Sequence, residues 1–133
     1  MTHEDKELLL KDLCARLPYY VKCQMEDDFI INDSPLYDYI LSEKHLELFR
    51  NHKGFYIRPY LRPMSSMTLE EHRDWMKYCK ADYDCEFQPE PTFDFESCIL
   101  SINWLNQHHF DYNNLIEKGL AIEVNKNNNP YKE

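Results

Sequence analysis

A chain of 133 residues, 43% of them hydrophobic and 29% charged, has the size and composition of one globular domain. That excludes a disordered polymer or a fibrous repeat, and no apolar run approaches the roughly 18 residues of a membrane helix. The formal net charge of −9 favours solubility and disfavours nonspecific nucleic-acid binding by the molecule as a whole.

The chain opens without a basic leader (Met1-Thr2-His3-Glu4-Asp5-Lys6), and Leu8-Leu9-Leu10 runs straight into Lys11 and Asp12. No secretory signal is read there, so a cytoplasmic location is expected. Cys14, Cys23, Cys79, Cys85 and Cys98 agree with it. An odd count at irregular spacing makes a poor disulfide framework, so these are expected to be reduced thiols, mostly buried.

Thr2 is placed to cap a first helix, with Asp5 as a weak form of the capping-box acid. Leu9, Leu13 and Leu17 share one stripe of it, Leu10 and Cys14 lie beside them, and Pro18 closes it. From Tyr19 the period becomes two. Tyr19, Val21, Cys23 and Met25 alternate with Tyr20, Lys22 and Gln24, which predicts a strand with one buried face. Glu26-Asp27-Asp28 reads as a turn into a hairpin partner at Phe29-Ile30-Ile31. Beyond the break at Asn32-Asp33-Ser34-Pro35, Leu36, Tyr39, Ile40, Leu46 and Phe49 suggest a helix, while the aromatics leave a strand open for 36–50. Gly54 ends that segment. Phe55 to Leu61 reads as extended, and Pro59 and Pro63 predict an edge strand.

Thr68 and Glu71 make a capping box ahead of a helix carrying Leu69, His72, Trp75, Met76 and Cys79 at helical spacing. In front of it, Met64 and Met67 are expected to pack about the helix start, with Ser65-Ser66 as a loop-to-helix stop. Ala81 to Phe95, rich in acids and holding Pro89 and Pro91, reads as an irregular connection. Ser97 is predicted to cap a further helix with Cys98, Ile102, Leu105 and His109 on one stripe and Ile99 joining it. Asp111 caps a short turn ended by Gly119, and Leu120 to Val124 form a last strand. The result is one α+β domain over residues 1–124, with three or four helices on a small, mostly antiparallel sheet. A polar tail over 125–133 is expected to fray.

Three blocks carry a family likeness. They are Asp12-Leu13-Cys14-Ala15-Arg16-Leu17-Pro18-Tyr19 with Val21-Lys22-Cys23, then Tyr60-Leu61-Arg62-Pro63-Met64-Ser65-Ser66-Met67-Thr68, then Asp111 through Glu123. Together they resemble a family of small uncharacterised proteins abundant in gut Bacteroidales, often encoded near phage or mobile-element genes. The likeness spans nearly the whole chain, and its middle block is the most specific. It implies a cytoplasmic accessory role in a mobile element and assigns no catalytic or binding residue. The family pattern has Gly in place of Tyr20 and Arg-Gly in place of Asn113-Asn114, departures that fall in expected turns.

Catalytic and metal chemistry find little support in the residues. Cys79, Cys85, Cys98 and His108-His109 are zinc-ligand types, but none is paired at the tight spacing of a knuckle. Asp82, Asp84 and Glu86 alternate like a calcium loop, yet Phe87 and Phe93 stand where that loop needs Gly and Glu. Ser65-Ser66 lacks nucleophile-elbow glycines, and Gly54 and Gly119 are the only glycines, so no phosphate loop exists. No catalytic residue, metal or cofactor is expected.

Charge segregation carries the functional reading instead. Between Ala81 and Glu117 there are eight acids and no Lys or Arg, and Asp82, Asp84, Glu86 and Glu90 form the expected acidic face for a protein partner. The leading expectation is thus a small cytoplasmic interaction protein without catalysis. Between Leu48 and Leu69, conversely, there is no acid. Arg50, Lys53, Tyr56, Arg58, Tyr60 and Arg62 there offer an alternative as a single-stranded nucleic-acid site, cations tracking phosphates beside aromatics that stack bases. The same stretch is complementary to the acidic face of a second copy, which makes a homodimer a further alternative. The weakest alternative is a hydrolase or metal enzyme around His108, His109 and Asp111.

Overall fold

The computed structural model describes residues 1–27, 36–52, 54–79 and 95–131. Helix α1 (His3–Arg16) starts where Thr2 Oγ1 accepts from the Asp5 N–H at 3.0 Å. Leu9 and Leu13 are fully buried from it, and a 3₁₀ turn, Leu17–Tyr19, ends it at Pro18. Strand β1 (Lys22–Asp27) keeps the alternation read from the sequence, with Val21, Cys23 and Met25 all sealed from solvent.

The partner of β1 is β2 (Leu36–Ile40), antiparallel with Cys23 opposite Tyr39. Phe29-Ile30-Ile31, expected in that place, lie outside the described residues. Residues 36–50 divide into this strand and helix α2 (Glu43–Asn51), which buries Leu46 and Phe49. Ser42 sets the boundary. Its Oγ accepts from the His45 N–H at 3.4 Å, and its own N–H donates to His45 Nδ1 at 3.1 Å. A capping box closed by histidine instead of Glu or Gln escapes a sequence reading.

Strand β3 (Phe55–Pro63) corrects the edge assignment: it is interior. On one side it pairs antiparallel with β1. On the other, two short strands, β4 (Phe110–Asp111) and β5 (Ile122–Glu123), lie parallel to it, end to end. The prolines fit because of register. Cys23 faces Pro59, and one step on Lys22 faces Tyr60, whose main-chain groups point into the gap between the strands, where Tyr131 meets them. Antiparallel pairs alternate inward and outward, so Pro59 turns its missing N–H to the far edge, ahead of the β5 ladder starting at Tyr60.

Helices α1 and α2 cover one face of the sheet, where Leu9, Leu13, Leu46 and Phe49 meet Cys23, Met25, Ile57 and Leu61. Each such side chain contributes about 1.5–3 kcal/mol of burial free energy. A second cluster joins Trp104, Leu105 and Phe110 to Trp75, Met67 and Tyr112. It is built by α3 (Leu69–Cys79) and α4 (Phe95–Gln107). The Thr68–Glu71 capping box is present in both directions, at 3.1 and 3.0 Å. Met67 packs inward as expected, whereas Met64 and Leu69 are exposed. Helix α4 begins at Phe95, ahead of the expected cap at Ser97. Its buried side is Ser101, Trp104, Leu105 and Asn106, with Ile99 and Ile102 turned out, because Trp104 takes the inner position against Phe110.

The turn after β4 follows the sequence closely. Asp111 Oδ1 accepts from the Leu115 N–H and Oδ2 from the Ile116 N–H, both at 3.0 Å, and Gly119 closes the turn at φ +74°. Tyr20 and Asn114 hold φ +59° and +57°, the region glycine enters without penalty. Of the four described cysteines, Cys23 and Cys79 are buried while Cys14 and Cys98 are exposed, fewer buried thiols than expected. Among the described residues no helix is long and apolar enough to cross a membrane.

The tail corrects a further expectation, since residues up to 131 dock instead of fraying. The Tyr131 hydroxyl accepts from the Lys22 N–H at 2.9 Å and donates to the Tyr60 carbonyl oxygen at 2.8 Å. Lys22 Nζ donates to the Pro130 carbonyl oxygen at 2.7 Å. One phenol thus stands where the β1–β3 ladder would have closed itself. Tyr131→Phe is expected to cost about 1–3 kcal/mol, the penalty of buried main-chain groups left without partners. Urea denaturation reads the loss, and faster amide exchange at Lys22 locates it.

Candidate functional site

Three segments meet at one end of the sheet around a cleft of about 590 Å³: the end of β3 with Ser66, the C-terminus of α4, and the chain after β5. Arg62 and Lys126 bring charge to it, His108 and His109 imidazoles, and Gln107, Asn125 and Asn129 amides. Among the described residues no carboxylate lines it, although the chain carries 24 acids.

Arg62 is placed by β3, where its N–H donates to the His109 carbonyl oxygen at 2.7 Å. Its guanidinium donates to both oxygens of Glu71, at 2.6 and 2.9 Å, and lies 4.3 Å over the Phe110 ring. The Arg62 hydrogen bonds hold the Glu71 carboxyl down at about 2. Arg62 is therefore a fixed wall with much of its charge already answered, and the exposed Lys126 is the lining cation without an ion pair among the described residues.

His109 is the unusual member. It ends α4 in a left-handed conformation, φ +64°, with its N–H donating to the Asn106 carbonyl oxygen at 3.2 Å. Glycine is the common residue at such a stop, and any side chain costs about 1–2 kcal/mol there. Its ring stacks on Tyr131 at 3.9 Å and 8°, and Nδ1 is buried without a hydrogen-bond partner. Burial first, then the charges of Arg16, His108 and Arg62, lower its pKa to about 4. His108 packs on Trp104 at 4.0 Å with the rings tilted by 33°, and burial lowers its pKa also.

Behind His109 lies a pair of charges with no access to water. Arg16 Nε and Nη2 donate to the Asp12 carboxylate at 2.7 and 3.2 Å, and Nη2 reaches the Phe110 carbonyl oxygen at 2.7 Å. Both side chains are 0% exposed. Asn113 Nδ2 donates to Asp12 at 2.8 Å, and the guanidinium lies 5.0 Å over the Tyr112 ring. Among the described residues Arg16 Nη1 has no partner.

A histidine kept neutral has a measurable acid limb. The unfolded chain takes a proton near 6.5 and the folded chain only near 4. Stability is then whole above 6.5, falls as pH drops from 6.5 to 4, and is flat below for this group. Urea midpoints across that window are expected to decline more steeply for the native chain than for His109→Asn.

Among the described residues the arrangement supplies hydrogen-bond donors and imidazoles, with no free hydroxyl or thiol. Ser66 Oγ donates to the Pro63 carbonyl oxygen at 2.7 Å, the Tyr131 hydroxyl is fixed between the strands, and no described cysteine lines the cleft. Asp111, read with His108 and His109 as an orienting acid, spends its carboxylate on main-chain N–H groups instead. Among the described residues, no three His, Cys, Asp or Glu side chains gather as metal ligands.

The stretch from Arg50 to Arg62 does not form one surface. Arg50 is exposed on α2, on the helix side of the sheet, while Tyr56 and Arg58 are exposed on the opposite face. Tyr60 is buried with its hydroxyl donating to Asp38 at 2.9 Å, and only Arg62 reaches the cleft. Lys53 and the acidic face Asp82, Asp84, Glu86 and Glu90 lie outside the described residues. Lys126, Asn129 and Tyr131 carry no local signal of a site, lying in a polar tail whose composition predicts fraying. Asp12 and Arg16 left a usable signal, an acid and a base four residues apart beside the buried Leu9–Leu13 stripe. No protein-family model, curated protein or solved structure matches the chain.

Proposed function

We propose that this protein acts by binding and not by turnover, as a small cytoplasmic interaction protein whose cleft receives a compact anionic group of a protein partner. One observation carries the reading: within a chain of net charge −9, the described lining of this cleft gathers two cations, two imidazoles and three amides and no acid. Its volume is that of a single ligand group and its immediate surroundings, within the range of small-molecule sites. A long polyanion would leave the cleft and cross a surface whose net charge repels it, whereas a compact group feels mostly the local field, since charges are screened beyond about 8 Å. That weighs against single-stranded nucleic acid. The left-handed backbone at Tyr20 and Asn114, where the Bacteroidales family pattern carries glycine, supports the family likeness, and the accessory role in a mobile element is what that likeness implies.

The test is a titration of ¹⁵N-labelled protein with a short acidic peptide bearing a free C-terminus, beside a twelve-nucleotide oligothymidine. The peptide is expected to shift the side-chain amides of Gln107 and Asn129, and Lys126→Glu to abolish the shift. Oligothymidine binding that disappears in Arg58→Glu, with no peptide response at millimolar concentration, would replace this reading with the nucleic-acid one.

A further inference from the structure

Among the described residues, two buried side-chain atoms lack partners, Arg16 Nη1 and His109 Nδ1, and they belong to neighbouring groups, since Arg16 Nη2 donates to the carbonyl oxygen of the residue after His109. Arg16 is a donor in every protonation state reached in proteins. A neutral imidazole carries its proton on one nitrogen and a lone pair on the other. With the proton on Nδ1, a second buried donor would lack an acceptor and would sit in the field of a cation. With the proton on Nε2, the Nδ1 lone pair faces that positive field instead, which is the favourable orientation. Because Nδ1 is sealed and His109 lines the cleft, Nε2 is the ring nitrogen open to it. The ring cannot turn over freely either, stacked at 8° on a Tyr131 whose hydroxyl is tied to two strands.

We infer that His109 is the inner hydrogen-bond donor of an oxyanion site, its Nε2–H directed into the cleft by the Arg16 guanidinium behind it, with Lys126 supplying the charge at the rim. This rests on the binding reading of the cleft and deepens it by naming the group bound, a carboxylate or a phosphate. It also accounts for the residue at the helix stop. Glycine would end α4 without strain, and the strained histidine is explained by what its ring presents. Arg16 is a positioning residue here, acting through the imidazole and not by contact with the anion. A donor that is already neutral stays a donor across physiological pH, so the site needs no protonation event to accept its ligand.

The experiment is ¹⁵N-histidine NMR of the native chain, in which the two ring-nitrogen shifts report the tautomer directly. Sodium acetate and inorganic phosphate are the two probes, with sodium chloride at matched ionic strength as the control. His109 is expected in the Nε2–H form, and its Nε2–H resonance is expected to move saturably with phosphate, acetate or both, but not with chloride. The stronger of the two responses identifies phosphate or carboxylate as the natural group. His109→Asn, which tolerates the left-handed backbone, and Lys126→Ala are each expected to weaken binding of that probe about tenfold. A proton found on Nδ1, or ring resonances that stay still while both anions saturate, would overturn the inference. If the acidic peptide still binds in a Lys126-dependent way in that event, the binding reading stands and only the role of His109 falls. If neither the anions nor the peptide moves any cleft residue, both fall.

Discussion

Arg16→Ala is expected to lower the unfolding free energy by about 3–5 kcal/mol, the cost of stripping one partner from a buried ion pair. The Arg16 and Asp12 side chains are both 0% exposed, and two of the guanidinium nitrogens are committed to the Asp12 carboxylate. Among the described residues, alanine leaves Asp12 as a buried anion answered only by the Asn113 amide, and it takes the donor from the Phe110 carbonyl oxygen. It also empties the space over the Tyr112 ring, so packing is lost along with charge. Urea denaturation at neutral pH should show a lower midpoint with an unchanged slope. The companion Asp12→Leu/Arg16→Met removes both charges and is expected to be markedly more stable than Arg16→Ala alone. If it is no more stable, the loss does not come from the orphaned carboxylate.

Phe110→Ala should cost a similar amount, about 3–5 kcal/mol, through cavity formation. Phe110 is fully buried, its ring stacks on Trp104 at 5.8 Å and 12°, and the Arg62 guanidinium lies over it. Removing the ring frees both neighbours together, so the second core and the wall of the cleft should loosen in one step. Near-ultraviolet circular dichroism of the tryptophans is expected to collapse at a lower temperature than the helical signal. Phe110→Leu fills much of the volume and should recover more than half of the loss. A variant in which the tryptophan and helix signals melt together, at the native temperature, would show that this cluster is not a support of the domain.

What could be read from the sequence was whatever its own neighbours determine. Helix α1, strand β1 and the Thr68–Glu71 box announce themselves by period and cap within a few residues; the helix and the box stand where they were expected, while the strand starts at Lys22 instead of Tyr19 and runs on through Glu26 and Asp27, read as a turn. The division of 36–50 was hidden because Ser42 uses His45 as its capping partner. The interior place of β3 was hidden because proline excludes a strand from a ladder only when its nitrogen faces the partner, and register decides that. Tyr131 gave no local sign at all, its hydroxyl partners lying 71 and 109 residues away. The cleft was concealed for the same reason. Arg62, His108, His109 and Lys126 come from three distant segments of a chain whose summed charge has the opposite sign.

The phenol between β1 and β3 also orders events in time. Both strands are complete once residue 63 has been synthesised, yet the groups at Lys22 and Tyr60 wait for a hydroxyl that leaves the ribosome tens of residues later. At elongation rates of about 5–20 residues per second, that interval lasts seconds. During it the nascent sheet must hold that end open to water, with the edge of β3 that later receives β4 and β5 bare. The end of the sheet beside the cleft is closed only once Tyr131 is in place, so the strand pair and the cleft wall are completed together.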